Sequence, residues 1–158
     1  MASTGKTLTF ADYAIGAIPL VSGLVMGAIC STGPEAGADI PARPPSKAFG
    51  IVWPILYIGM GVSWVRSRSK DRTATTDILF GTLTGLLLLW QVLYGCGGRQ
   101  KDALYVLAAG IAASLAATVY TSRLEASTSW LMSPLVAWLI FATMLNFEQV
   151  NRSARRAQ

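Results

Sequence analysis

The chain has 158 residues, 53% of them apolar and 13% charged, with a formal net charge of +5. A soluble domain carries about twice that share of charged residues, so a water-soluble globule is not the expected class. No histidine occurs, which excludes His-based zinc and His-ligated haem sites.

Residues 1–12 form a short polar arm. It has one lysine and no apolar run, so neither a signal peptide nor an Arg-rich transit segment is expected there. Five apolar stretches follow, at about 13–32, 48–65, 78–97, 103–122 and 130–149. Each reaches the roughly 17–25 residues that cross the hydrocarbon core as a helix, and none shows a polar face. Backbone polar groups in lipid must be satisfied within the segment, which makes the spans helical. The expected fold is all-α: one integral-membrane domain over residues 1–158, a bundle of five transmembrane helices.

Span one contains Gly23 and Gly27 as a GxxxG pair, which allows close helix approach, and Pro19, which is expected to bend it. Cys30 lies near its end and Cys96 near the end of span three. They form no CxxC, and the sequence leaves their redox state open. Ser31 to Lys47 is the longest loop, with four prolines and two glycines; a lid and a plain connector are both open for it. Span two begins after Pro44-Pro45, and its Pro54 frees the carbonyl of Gly50, predicting a kink beside Trp53. Arg66 to Arg72 reads as a basic interfacial turn. Span three opens near Asp77, placed to complement the helix dipole. It carries a second GxxxG (Gly81, Gly85) and Trp90, and ends at Gly95 to Gly98. Arg99 to Asp102 reads as a tight turn. Span four is rich in alanine and expected to pack closely. Span five starts at the interfacial anchor Trp130 and ends in a basic tail of Arg152, Arg155 and Arg156. Cations placed between spans suit lipid headgroups better than nucleic acid. They divide as Lys6, Arg66, Arg68, Lys70, Arg72 and Arg123 on one side against Arg43, Lys47, Arg99, Lys101, Arg152, Arg155 and Arg156 on the other. The positive-inside rule does not choose an orientation.

All four lysines lie outside the spans, which argues against a buried Schiff base. No carboxylate is expected deep in a span, which argues against an ion-coupled pump. No Ser-His-Asp set and no phosphate-cradling glycine loop occur. The remaining chemistry is aromatic: Trp53, Tyr57, Trp90, Trp138, Phe141 and Phe147 fall in spans two, three and five. Indole faces stack on flat apolar ligands and offer one N–H. Trp64 and Trp130, at span ends, read as interfacial residues. For Trp53 and Trp138, pocket lining and ordinary packing are both open. Asn146 reads as helix-to-helix glue before ligand contact.

Pro44-Pro45, Phe49-Gly50-Ile51-Val52-Trp53 and Leu56-Tyr57-Ile58-Gly59-Met60-Gly61 resemble the second-helix signature of the tryptophan-rich sensory protein / translocator protein (TspO/MBR) family. Pro134, Ala137-Trp138-Leu139, Phe141-Ala142-Thr143 and Leu145-Asn146-Phe147 resemble its fifth-helix motif, and Gly98-Arg99-Gln100 the turn after its third helix. The resemblance implies a five-helix bundle, commonly a homodimer, with a ligand pocket beneath the first loop. Porphyrins and other tetrapyrroles are the implied ligands, haem included, with sterols and drug-like molecules beside them. By matched position Trp53 and Trp138 line that pocket and Ala142 leaves it room. Asn146, Phe147 and Arg152 form the sterol-associated end, and Gly81 and Gly85 the dimer contact. Lys47 and Ala48 stand where the family often has a tryptophan. Leu89-Trp90-Gln91-Val92 replaces a more tryptophan- and proline-rich third helix, and Phe147 replaces a tyrosine.

The leading expectation is a membrane binding protein that holds a tetrapyrrole among Phe49, Trp53, Tyr57, Trp90, Trp138 and Ala142. Arg43 and Lys47 are placed to pair with its carboxylates. It needs no cofactor, metal ion or catalytic residue. A membrane assembly protein without ligand, and an enzyme degrading porphyrin in light with Trp53 or Trp138 as electron donor, are the alternatives.

Overall fold

In a computed structural model, which describes residues 7–31, 40–71 and 73–158, the chain forms five helices. They are α1 (Phe10–Ile29), α2 (Ser46–Lys70), α3 (Ala74–Gln91), α4 (Gln100–Leu124) and α5 (Ala126–Arg156). A wider π-helical turn, Val92–Cys96, prolongs α3. All five helices are long and apolar enough to cross a membrane, as the hydropathy pattern requires. No strand occurs among the described residues. Of the loop expected over 31–47, residues 32–39 lie outside the described residues, and Ser46 and Lys47 already belong to α2.

α4 packs between α3 and α5, while α2 joins α1 to α5. The core holds Tyr57, Met60, Phe80, Leu83, Leu107, Met132 and Leu139, all buried, while Val21, Ile55, Leu115 and Met144 point outward. Lipid tails are as apolar as leucine, so helices in a bilayer associate through close packing and polar contacts rather than through apolar burial. Both devices are present. A Cβ added at Gly61 would lie 2.1 Å from the carbonyl oxygen of Gly16, so α1 and α2 cross backbone to backbone there. The Ser63 hydroxyl donates to the carbonyl of Thr128 at 3.4 Å, and Ser114, Thr121 and Thr128 are fully buried.

The helix ends differ from the sequence expectation. The basic stretch after Val65 is not a turn: α2 continues through Arg66, Arg68 and Lys70. Arg68 is the reason, because its guanidinium donates to Asp12 of α1 and Asp77 of α3, which draws the last turn of α2 into the bundle. Asp12 is thus a carboxylate inside a helix, 1% exposed. Trp64 is not an interfacial residue either. It is buried, stacks on Phe80 with ring centres 5.5 Å apart, and donates its indole N–H to Asp77 at 2.8 Å. Trp130, by contrast, is 79% exposed at the start of α5. Arg99 precedes α4 rather than forming a tight turn, since the helix begins at Gln100. α1, α2 and α5 run unbroken through Pro19, Pro54 and Pro134. Between α2 and α3, Asp71 accepts hydrogen bonds from the Tyr120 hydroxyl and from Thr73. These hold its carboxyl below the usual carboxylate range.

Candidate ligand-binding site

Phe49, Trp53 and Tyr57 are spaced four apart, so they share one face of α2. That face closes a cavity of about 460 Å³ near the end of the bundle where α1 finishes and α2 begins. Trp53 is its hub. It stacks on Tyr57 at 5.5 Å and tilts against Trp90 at 5.3 Å. Trp90 in turn stacks on Tyr94 at 5.4 Å, across the point where α3 passes into the π-helical turn. Gly23 and Gly27 line the α1 side, and Ala142, with Asn146, the α5 side. Gly23 lets Tyr57 in: a Cβ there would lie 2.3 Å from the phenol ring. Gly27 borders open space.

The polar groups are few. Gln91 donates its side-chain N–H to the Tyr57 hydroxyl at 2.8 Å. Asn146 is 2% exposed; with its amide oriented to suit its neighbours, it donates to the Gln100 carbonyl and accepts from the Leu104 N–H, each at 3.3 Å. It therefore both clasps the first turn of α4 and borders the cavity. Arg43, just before α2, lies with its guanidinium carbon 5.3 Å from the Phe49 ring centre and donates to the Tyr94 hydroxyl at 2.9 Å. The Tyr94 hydroxyl in turn donates a hydrogen bond to Gln149 Oε1 at 2.6 Å. A disulfide between Cys30 and Cys96 ties the end of α1 to the π-helical turn, and Cys30 itself borders the cavity.

Seven of the residues singled out from sequence meet at this cavity: Arg43, Phe49, Trp53, Tyr57, Trp90, Ala142 and Asn146. The others lie elsewhere. Trp138 stands behind the wall, edge-on to Trp53 at 6.3 Å and to Phe49 at 5.6 Å, and supports rather than lines it. Lys47 is exposed on the first turn of α2, off the wall. Phe147 is 55% exposed and points away from Asn146's buried site, while Arg152 pairs with Glu148 at 2.6 Å. Gly81 and Gly85 face outward, with open space where a Cβ would stand. Sequence reasoning missed Gln91, Tyr94 and the disulfide. The signals were present: Tyr94 follows Trp90 by four residues, and both cysteines end odd-numbered spans, hence lie on one side.

The family model described as the TspO/MBR family matches residues 15–151, from the first turns of α1 into α5. The chain belongs to the TspO/MBR family. It is similar to the tryptophan-rich protein TspO of Archaeoglobus fulgidus, with 30% identity over 118 residues that cover 71% of this chain and 74% of that protein. As a TspO/MBR protein with five spanning helices, it is an integral, multi-pass membrane protein.

Proposed function

We propose that this TspO/MBR protein binds a flat, hydrophobic tetrapyrrole in the aromatic cavity. The observation that supports this most is the continuous wall of Tyr57, Trp53, Trp90 and Tyr94, each ring within 5.5 Å of the next. Such a wall offers π-faces over an extended area, and polar groups only at its edges. The cavity volume of about 460 Å³ falls within the range of small-molecule sites, roughly 300–1,000 Å³. With no histidine in the chain, no imidazole is available to iron, so free-base or weakly ligated porphyrin is favoured over haem. The outward, open strip at Gly81 and Gly85 supports a homodimer along α3, where small residues let helices approach.

The test is a titration of protoporphyrin IX into the purified protein in detergent, in the dark, read by tryptophan quenching. Gly27→Leu is the informative variant. Its side chain enters open space, fills part of the cavity and favours the helix. We expect saturable binding to the wild type and at least about tenfold weaker binding to the variant, or about 1.4 kcal/mol. Equal affinity for both would show that porphyrin does not occupy this cavity.

A further inference from the structure

Resting on the cavity as the ligand site, a finer selectivity follows from its one cation. Arg43 is the single charged residue on the wall among the described residues. None of the ion pairs among the described residues includes it. Its guanidinium has five N–H donors in a planar fork, and its hydrogen bond here goes to a neutral phenol, Tyr94, at 2.9 Å. Among the described residues, it also lies over the face of Phe49 and borders the apolar cavity. A half-buried cation beside apolar groups is poorly screened, so a carboxylate meeting it gains more than it would in water. The fork also matches a carboxylate with two parallel N–H···O bonds, which a phenol cannot offer. The Arg43 to Tyr94 to Gln149 chain spans the loop before α2, the π-helical turn and α5. It holds the guanidinium in register with the ring wall.

We propose that Arg43 makes the cavity selective for flat ligands bearing a carboxylate at one edge, and that Tyr94 is the residue that positions it. The ring body stacks on Trp53 and Trp90, and the carboxylate replaces or joins Tyr94 as the partner of the guanidinium. Neutral flat ligands gain the stacking alone. Lys47, exposed and off the wall, takes no part.

Protoporphyrin IX and its dimethyl ester form the matched pair, with the same ring and no charge on the second. Both are titrated in the dark into the full-length protein in a non-ionic detergent. We expect the wild type to prefer the diacid by tenfold or more. Arg43→Gln should lose that preference by weakening the diacid while leaving the ester unchanged, and Arg43→Lys should keep part of it. Tyr94→Phe, which keeps the stacked ring and removes the hydroxyl, should lower the preference about threefold. Acidification through the ordinary carboxylic acid range, about pH 4.3 for an unperturbed glutamate-like group, should bring diacid and ester together. Equal binding of diacid and ester by the wild type, or equal weakening of both by Arg43→Gln, would overturn the selectivity while leaving the cavity reading intact. No saturable binding of either would remove both.

Discussion

Arg68 is the residue on which the end of the bundle opposite the cavity depends. Its Nε donates to Asp12 Oδ1 at 3.0 Å, and its Nη1 donates to Asp77. Asp12 also caps α1, accepting the Thr9 N–H and hydroxyl, each at 2.8 Å. A single guanidinium thereby joins α1, α2 and α3. Removing one partner of a buried ion pair strands the other charge, which costs more than the pair itself contributes. Arg68→Met should therefore lower stability in detergent by about 3 kcal/mol, seen as a fall in the thermal midpoint. Adding Asp12→Asn should restore part of the loss, because asparagine still caps the helix but carries no charge. A double variant less stable than the single would refute the stranded-charge account. In the sequence, Arg68 is one of four cations in a surface-like run, Arg66 to Arg72. Only the arrival of Asp12 from another helix makes it a core group.

At the scale of helices, α1 and α2 cross backbone to backbone at Gly16 and Gly61. A Cβ at Gly61 would stand 2.1 Å from the Gly16 carbonyl oxygen, and one at Gly16 would stand 2.3 Å from a Val65 methyl. Neither clash is relieved without moving a backbone or a packed β-branched side chain. Gly61→Ala should cost about 1–3 kcal/mol, the usual penalty of overpacking. Gly27→Ala, which meets open space, should not destabilise. Comparing the two thermal midpoints checks the assignment, and similar midpoints would contradict it. The five spans themselves were legible because twenty-odd apolar residues in a row have few other fates. The GxxxG pairs marked small faces but not which neighbour would use them. Gly23 meets an aromatic ring, Gly27 a cavity, and the crossing of α1 with α2 falls on glycines outside both pairs. Helix ends were misread wherever a charged side chain found a partner on another helix, since that pairing extends a helix beyond its apolar run.

For the whole molecule, the aromatic face of α2 was legible from the four-residue spacing of Phe49, Trp53 and Tyr57. The depth of Trp138 was not, because whether a ring lines a wall or backs it is decided by the helices in front of it. The pairing of Cys30 with Cys96 was likewise hidden until α1 and the end of α3 came together. Disulfides persist where thiols are not kept reduced, and this one is reachable, since Cys96 is exposed. Protein taken from its membranes with free thiols blocked at once should gain no alkylating label on either cysteine until it is reduced. Cys30→Ala with Cys96→Ala should cost roughly 2–4 kcal/mol in the same thermal assay. Label on both cysteines before reduction would show the bond open in the membrane. The balance of lysine and arginine left the sidedness of the chain undecided, and the redox state of this bond in the membrane is the measurement that chooses it. A bond found closed in that labelling would put the end bearing Arg43, the π-helical turn and the last turns of α5 on the oxidising side of the membrane. The same bond then fixes which solution wets the cavity mouth, so a membrane-impermeant thiol label and the ligand site would report on one face of the bilayer.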